Sequence, residues 1–245
     1  MSLESQLEGV SFISSKLVTA PVGERGLRDS LAWRLGEMLF FAEDLFGERD
    51  RSFTFLGFEV VENGPRLQHG PYNNMIIQLH PKTLEDPIEA YYEMAHECVH
   101  MISPIPTESP NILEEGLAVI FSAKYLREVM GITRTPPAVM LFDSLPAVTR
   151  SYYEASFLAG QLLSVDLYGI KAMREKEPII SKISKDLILE HCPTISEPVA
   201  ERLAEPFVRG GETKFQPSPP PPMSLVRQIH KPTPLQVQSI LWGIG

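Results

Sequence analysis

The sequence predicts an α+β domain, mostly helical, with a small sheet set just before its most informative helix. Three observations lead there. Apolar residues recur at helical spacing over several long stretches, as Leu27, Leu31, Leu35 and Leu39 do. Two short runs rich in aromatic and β-branched residues lie between positions 52 and 79. A segment with its own start and stop signals follows them directly.

Taken in order, the first helix is expected from about Gly26 to Phe46, with Trp33, Met38, Phe40 and Leu45 around the leucine stripe and Gly47 as its C-terminal stop. Its aromatic residues read as core. Ser52 to Val61 reads as a strand, and Glu62-Asn63-Gly64-Pro65 as a turn. Met75 to Leu79 is a second short strand. Asp86 can cap the next helix, Pro87 suits its first position, and Glu89 completes a D-x-x-E capping box. Ser103-Pro104 closes that segment by steering the chain out of the α region. A further helix is expected over 110–130, opened by Pro110 and stopped by Gly131, and another over 148–168, stopped by Gly169. Thr133 to Pro146 reads as a connector, and shorter helical pieces fall between Lys182 and Gly210, including Val199 to Val208.

The chain has 245 residues, 43% hydrophobic and 22% charged, enough for one domain with a core of its own. We divide it into a domain over 1–210 and a proline-rich tail over 211–245. A net charge of −9 gives a nucleic-acid partner no electrostatic support. Cys98 and Cys192 are too few for a disulfide framework and read as free thiols in a reducing compartment. Residues 1–8 carry Glu4 and Glu8 without a basic residue, unlike an export signal, and no apolar run has the length of a membrane span. The expectation is a cytoplasmic protein without a membrane partner.

The capped helix contains His96-Glu97-Cys98-Val99-His100. Residues four apart stack on one helical face, so His96 and His100 can direct both rings at one ion. Glu97 lies about 100° further round. There it stands beside a metal-activated water rather than on the metal, as a general base should. Cys98, about 200° round from His96, faces away and is expected in the core. Glu93 shares the histidine face, where it can orient an imidazole, meet a substrate amine, or simply be solvated. His69, His80, His191 and His230 show no partner pattern and are expected to be structural or exposed. A catalytic zinc site wants a third protein ligand, and Glu114 and Glu115 offer it after a loop carrying Pro104, Pro106 and Pro110. The two point about 100° apart, so only one serves the ion easily.

His96-Glu97-Cys98-Val99-His100 followed by Glu115-Gly116-Leu117-Ala118 resembles the gluzincin zinc metallopeptidases, in particular their compact peptidase MA-like domains and the aminopeptidase branch. The resemblance covers roughly residues 75 to 170. It implies a zincin-like fold with a small mixed or antiparallel sheet whose edge strand, here Met75 to Leu79, precedes the His-Glu helix. It also implies Zn²⁺ held by His96, His100 and Glu115, and a peptide or protein substrate. An exposed strand edge is a template for an extended peptide, whereas a central strand is not, and the residues fit either position. Ser151-Tyr152-Tyr153-Glu154 resembles the Tyr-Glu helix of the aminopeptidase branch, which implies Tyr153 as the oxyanion-stabilising tyrosine. The Gly-x-Met-x-Asn exopeptidase element of that branch is absent before the helix, so aminopeptidase specificity is not part of the expectation.

The expected activity is thus zinc-assisted hydrolysis of a peptide bond, with Glu97 as base and Tyr153 at the oxyanion. A silent zinc-containing binding module and a hydrolase of non-peptide amides are the alternatives; an intact Glu97 speaks against the first. Pro217 to Pro222 is a polyproline II candidate, and Leu235 to Trp242 beyond it is apolar enough to dock on its own domain or on a partner.

Overall fold

The computed structural model describes residues 31–106, 109–132 and 147–211. The expected connector over 133–146, the first residues of the opening helix and the proline-rich tail beyond 211 lie outside the described residues. The architecture is α+β: helices packed on one another, with a small mixed sheet beside the histidine-bearing helix.

Helix α1 (Leu31–Phe46) buries Leu31, Leu35, Met38, Leu39, Ala42 and Leu45, the face its spacing sets out. Each such leucine contributes about 1.5–3 kcal/mol by leaving water. Gly47 follows at φ 91°, the left-handed conformation that ends helices at glycine.

Strand β1 (Thr54–Val60) pairs in parallel with β3 (Asn74–Leu79), and β2 (Arg66–His69) pairs with β3 antiparallel, giving the order β1-β3-β2. The strand directly before the histidine helix is therefore the central strand, which corrects the expectation of an edge. The reason lies in its own residues: Met75, Ile77 and Leu79 are buried, and the neighbouring row carries Gln78, which is buried as well. Gln78 is opposite both Glu59 and Arg66; its Nε2 donates to Glu59 at 2.6 Å and its Oε1 accepts from Arg66 Nε, a cross-strand link through all three strands. Among the described strands β2 is an outer one, and the sequence reading missed it.

Helix α2 (Pro87–His100) has the expected Asp86 cap, accepting from the Ile88 N–H at 3.0 Å, and Pro87 at the first position, but the Glu89 half of the expected capping box is replaced: the Asp86 N–H donates to Lys82 O at 3.0 Å. Helix α3 (Ile112–Lys124) starts at Asn111 rather than Pro110, because the Asn111 side chain accepts from the Glu114 N–H at 2.9 Å. It runs on into a π-helical turn over Tyr125–Val129, before Gly131 at φ 69°. Helix α4 (Ala147–Val165) ends earlier than expected, and Gly169 opens α5 (Gly169–Arg174) instead of stopping its predecessor. Helices α6 (Lys185–His191) and α7 (Glu197–Ala204) complete the described chain.

Side chains tie the ends of α1 and α2 to the later part of the chain. Arg174 of α5 donates to the carbonyls of Phe46 at 2.8 Å, Glu48 at 2.9 Å and Pro178 at 2.8 Å, pinning the end of α1. Ser103, just past α2, accepts from the Ile180 N–H at 3.1 Å. Helix α3 and α4 cross so closely at Gly116 that a Cβ there would meet the Ala155 carbonyl oxygen at 2.2 Å. Cys98 is fully buried on the core side of α2, as expected. No helix among the described residues is long and apolar enough to cross a membrane.

Candidate metal centre

Glu89, Tyr92, Glu93, His96, Glu97 and His100 of α2 recur at helical spacing and line one wall of a cleft of about 970 Å³. Residues 65–69, which include β2, form another wall, and the loop residues Ile105, Pro106, Ser109 and Pro110, the first half of α3, the start of α4 and residues 207–209 supply the rest of the lining.

His96, His100 and Glu115 converge in this cleft, each offering one ligand atom with all of these atoms within 4.8 Å of one another. His96 Nε2 is 3.3 Å from Glu115 Oε2, and His100 Nε2 is 3.5 Å from Glu115 Oε1. Glu115 Oε2 is buried with no hydrogen-bond partner, although an imidazole nitrogen stands beside it. A buried carboxylate oxygen left in that state is costly unless a cation meets it. Two imidazole nitrogens and a carboxylate oxygen around one point are a donor set that can hold a metal ion.

Glu114 does not join that set. Its Oε1 accepts from His100 Nδ1 at 2.8 Å, and its Oε2 accepts from the Ser181 hydroxyl. With Nδ1 committed to Glu114, the Nε2 atom of His100 is the one turned toward Glu115. The sequence reading took Glu114 as the alternative to Glu115; the structure gives each its own side of the same imidazole.

The charges explain the protonation pattern. Burial would lower the His100 imidazole, but the Glu114 hydrogen bond and the charges of Glu115, Glu114 and Glu97 raise it to about 10. Burial would raise Glu115, yet His100, His96 and Arg209 hold it below the usual carboxylate range. Glu97 is buried and pushed up by desolvation, with partial relief from His100, His96 and a hydrogen bond from the Leu67 N–H of β2. Glu93 is raised to about 7, chiefly by burial. Its Oε2 accepts from the His80 N–H at 2.8 Å, so it fastens the end of β3 to α2 instead of standing solvated.

Of the two adjacent tyrosines it is Tyr152, and not the expected Tyr153, that the fold places in the cleft. Tyr152 lines the cleft, with its ring 6.0 Å from the His96 ring and 4.9 Å from Phe207; Tyr153 is not part of the lining. Neighbours on a helix point about 100° apart, so only one of the pair can face the histidines. Burial, then the Glu115 charge, pushes the Tyr152 hydroxyl up to about 12, which keeps it a proton donor at neutral pH.

Other lining residues carried no sequence signal. His69, expected to be structural or exposed, lines the cleft from β2. Phe207 and Arg209 reach it because residues 205–210 are strapped across the starts of α3 and α4. Ile112 N–H donates to Glu205 O at 2.9 Å, Phe207 N–H to Pro110 O at 2.8 Å, and Gly210 N–H to Ser151 Oγ at 3.2 Å.

No protein-family model, no curated protein and no solved structure matches this chain.

Proposed function

We propose that the chain is a zinc-dependent peptide-bond hydrolase of the gluzincin type. The observation that carries this reading is the convergence of Glu115 on His96 Nε2 and His100 Nε2, with Glu97 buried on the same helix wall. The orphaned Glu115 Oε2 and the N, N, O donor set fit a borderline cation such as zinc. Held by His96, His100 and Glu115, zinc would supply the Lewis acidity that activates water and polarises a carbonyl at neutral pH.

The remaining work falls to side chains of this chain. Glu97 takes a proton from the attacking water onto a carboxylate oxygen and hands it to the leaving nitrogen. The Tyr152 hydroxyl donates to the carbonyl oxygen as negative charge develops on it. Glu114 keeps the His100 ring fixed through Nδ1. β2, an outer strand among those described and part of the cleft wall, is the element against which an extended peptide can lie.

The test is elemental analysis of the purified chain together with cleavage of a peptide library. One zinc per chain and a defined set of cleaved bonds are expected. A chain that takes up zinc but cleaves no peptide contradicts the hydrolase; one that takes up no metal contradicts the centre.

A further inference from the structure

Two arginines and no lysine line the cleft, Arg66 and Arg209. They are not equivalent. Arg66 donates its Nε to Gln78 Oε1, and Gln78 in turn donates to Glu59, so that guanidinium is held along the sheet. The guanidinium of Arg209 makes no hydrogen bond or ion pair with another described residue.

The fold nevertheless fixes where Arg209 stands. Phe207 N–H donates to Pro110 O at 2.8 Å and Gly210 N–H to Ser151 Oγ at 3.2 Å, so the backbone is fastened two residues before Arg209 and directly after it. Ser151 adjoins Tyr152 on α4, and the Phe207 ring lies 4.9 Å from the Tyr152 ring. Arg209 is thus held on the Tyr152 side of the cleft, near enough for its charge to act on both Tyr152 and Glu115.

The acids of the cleft are committed elsewhere. Glu114 is engaged by His100 and Ser181, Glu115 faces the two imidazoles, and Glu93 accepts from the His80 N–H. Burial pushes Glu93 and Glu97 toward their uncharged forms. Glu89 lies nearly two turns before His96, about 10 Å along the α2 axis. A guanidinium carries five N–H donors in a planar fork, and the fork fits a carboxylate through two parallel hydrogen bonds. Arg209 is exposed, so a ligand can reach that fork.

We propose that Arg209 anchors a carboxylate of the substrate, so that the cleft takes peptides presenting an anion on the Tyr152 side, either a free C-terminus or an acidic side chain. The proposal rests on the peptide-hydrolase reading and names its substrate class.

The test is equilibrium binding of dansyl-labelled alanine hexapeptides to the zinc-loaded full chain, followed by anisotropy. The chain carries Glu97→Gln, so the readout does not depend on turnover. One pair of peptides compares the free acid with its C-terminal amide. A second series, all amides, compares Glu with Gln at each position in turn. In at least one comparison the carboxylate peptide is expected to bind about tenfold tighter, as a charge-assisted, doubly hydrogen-bonded pair should. A preference in the first pair identifies a C-terminus, and one in the second series an acidic side chain. Arg209→Ala should abolish the preference and leave the affinity for the uncharged peptides unchanged. Arg209→Lys, which keeps the charge and loses the fork, should retain part of it. Equal binding of charged and uncharged peptides overturns the proposal. So does a preference that survives Arg209→Ala, which puts the carboxylate on the metal, or one abolished by Arg66→Gln alone, which gives it to Arg66. A chain that binds none of the peptides fails as a peptide site and takes the proposal with it. Should the predicted preference hold while the parent chain cleaves no peptide, only the hydrolase reading is lost.

Discussion

His100 Nδ1 lies 2.8 Å from Oε1 of Glu114, the residue immediately before Glu115. Consecutive residues at the start of α3 thus serve the two nitrogens of one imidazole, Glu115 on the Nε2 side and Glu114 on the Nδ1 side. Their angular separation of about 100° is what lets them straddle the ring. Glu114 is itself held by Ser181 and by the Asn111 cap on its own N–H.

From this geometry Glu114→Gln should weaken zinc binding about 10–100-fold while leaving one zinc per chain at saturation. Glu115→Ala should lose stoichiometric zinc. Titration against a competing chelator reads both. If Glu115→Ala stays stoichiometric and Glu114→Ala empties, the two roles are reversed.

Gly116→Ala should damage the fold next to the site. The added Cβ would lie 2.2 Å from the Ala155 carbonyl oxygen and 2.7 Å from Ala159 Cβ, and helix backbone cannot yield as a side-chain tip does. Overpacking of this kind costs about 1–3 kcal/mol. The crossing also sets Tyr152, one turn before Ala155, against His96. Thermal unfolding checks the prediction: an unchanged melting temperature means α3 and α4 can separate at no cost.

Tyr152→Phe should lower kcat by about 10²–10³, the loss seen when one oxyanion donor is removed. Tyr153→Phe should leave kcat within a few-fold. The reverse pattern would return the role to Tyr153.

How far the sequence could be read follows from where each signal resides. The start of α2 is local chemistry, Asp86 and Pro87 acting on neighbouring backbone, and it was legible to the residue. The two histidines and Glu115 were legible because helical spacing and a known pattern constrain them. β2 was not: Arg66-Leu67-Gln68-His69 is short and polar, and it becomes a strand only by pairing with β3. Without β2, β3 passed for an edge. The choice between Tyr152 and Tyr153 depends on how α4 is rotated against α3, which the contact at Gly116 fixes and neither tyrosine reveals. The strap over 205–210 depends on hydrogen bonds to Pro110, Ile112 and Ser151, distant in sequence.

Glu93 gives a pH-dependent signature. Burial raises its carboxyl from 4.5 to about 7, so between those values the folded chain binds more protons than the unfolded chain. Its contribution to stability is therefore complete below about pH 4.5 and is lost as pH rises through about 7. Glu93→Gln removes that loss and keeps an acceptor for the His80 N–H. At about 1.4 kcal/mol per pKa unit, the variant should gain about 1–3 kcal/mol over the parent between pH 4.5 and 7.5. Denaturant unfolding of chelator-treated protein reads the difference. A gap that does not change with pH means Glu93 ionises freely in the fold.

The most direct test of the hydrolase reading is the turnover of a peptide substrate by Glu97→Gln, measured with parent and variant both carrying one zinc. Glu97 is buried beside the centre and is not one of its three ligands, so the substitution removes the base and leaves the donor set whole. The account predicts unchanged zinc content and a fall in kcat of about 10²–10⁴, the contribution of a positioned general base. Equal kcat in the two zinc-loaded proteins would contradict it.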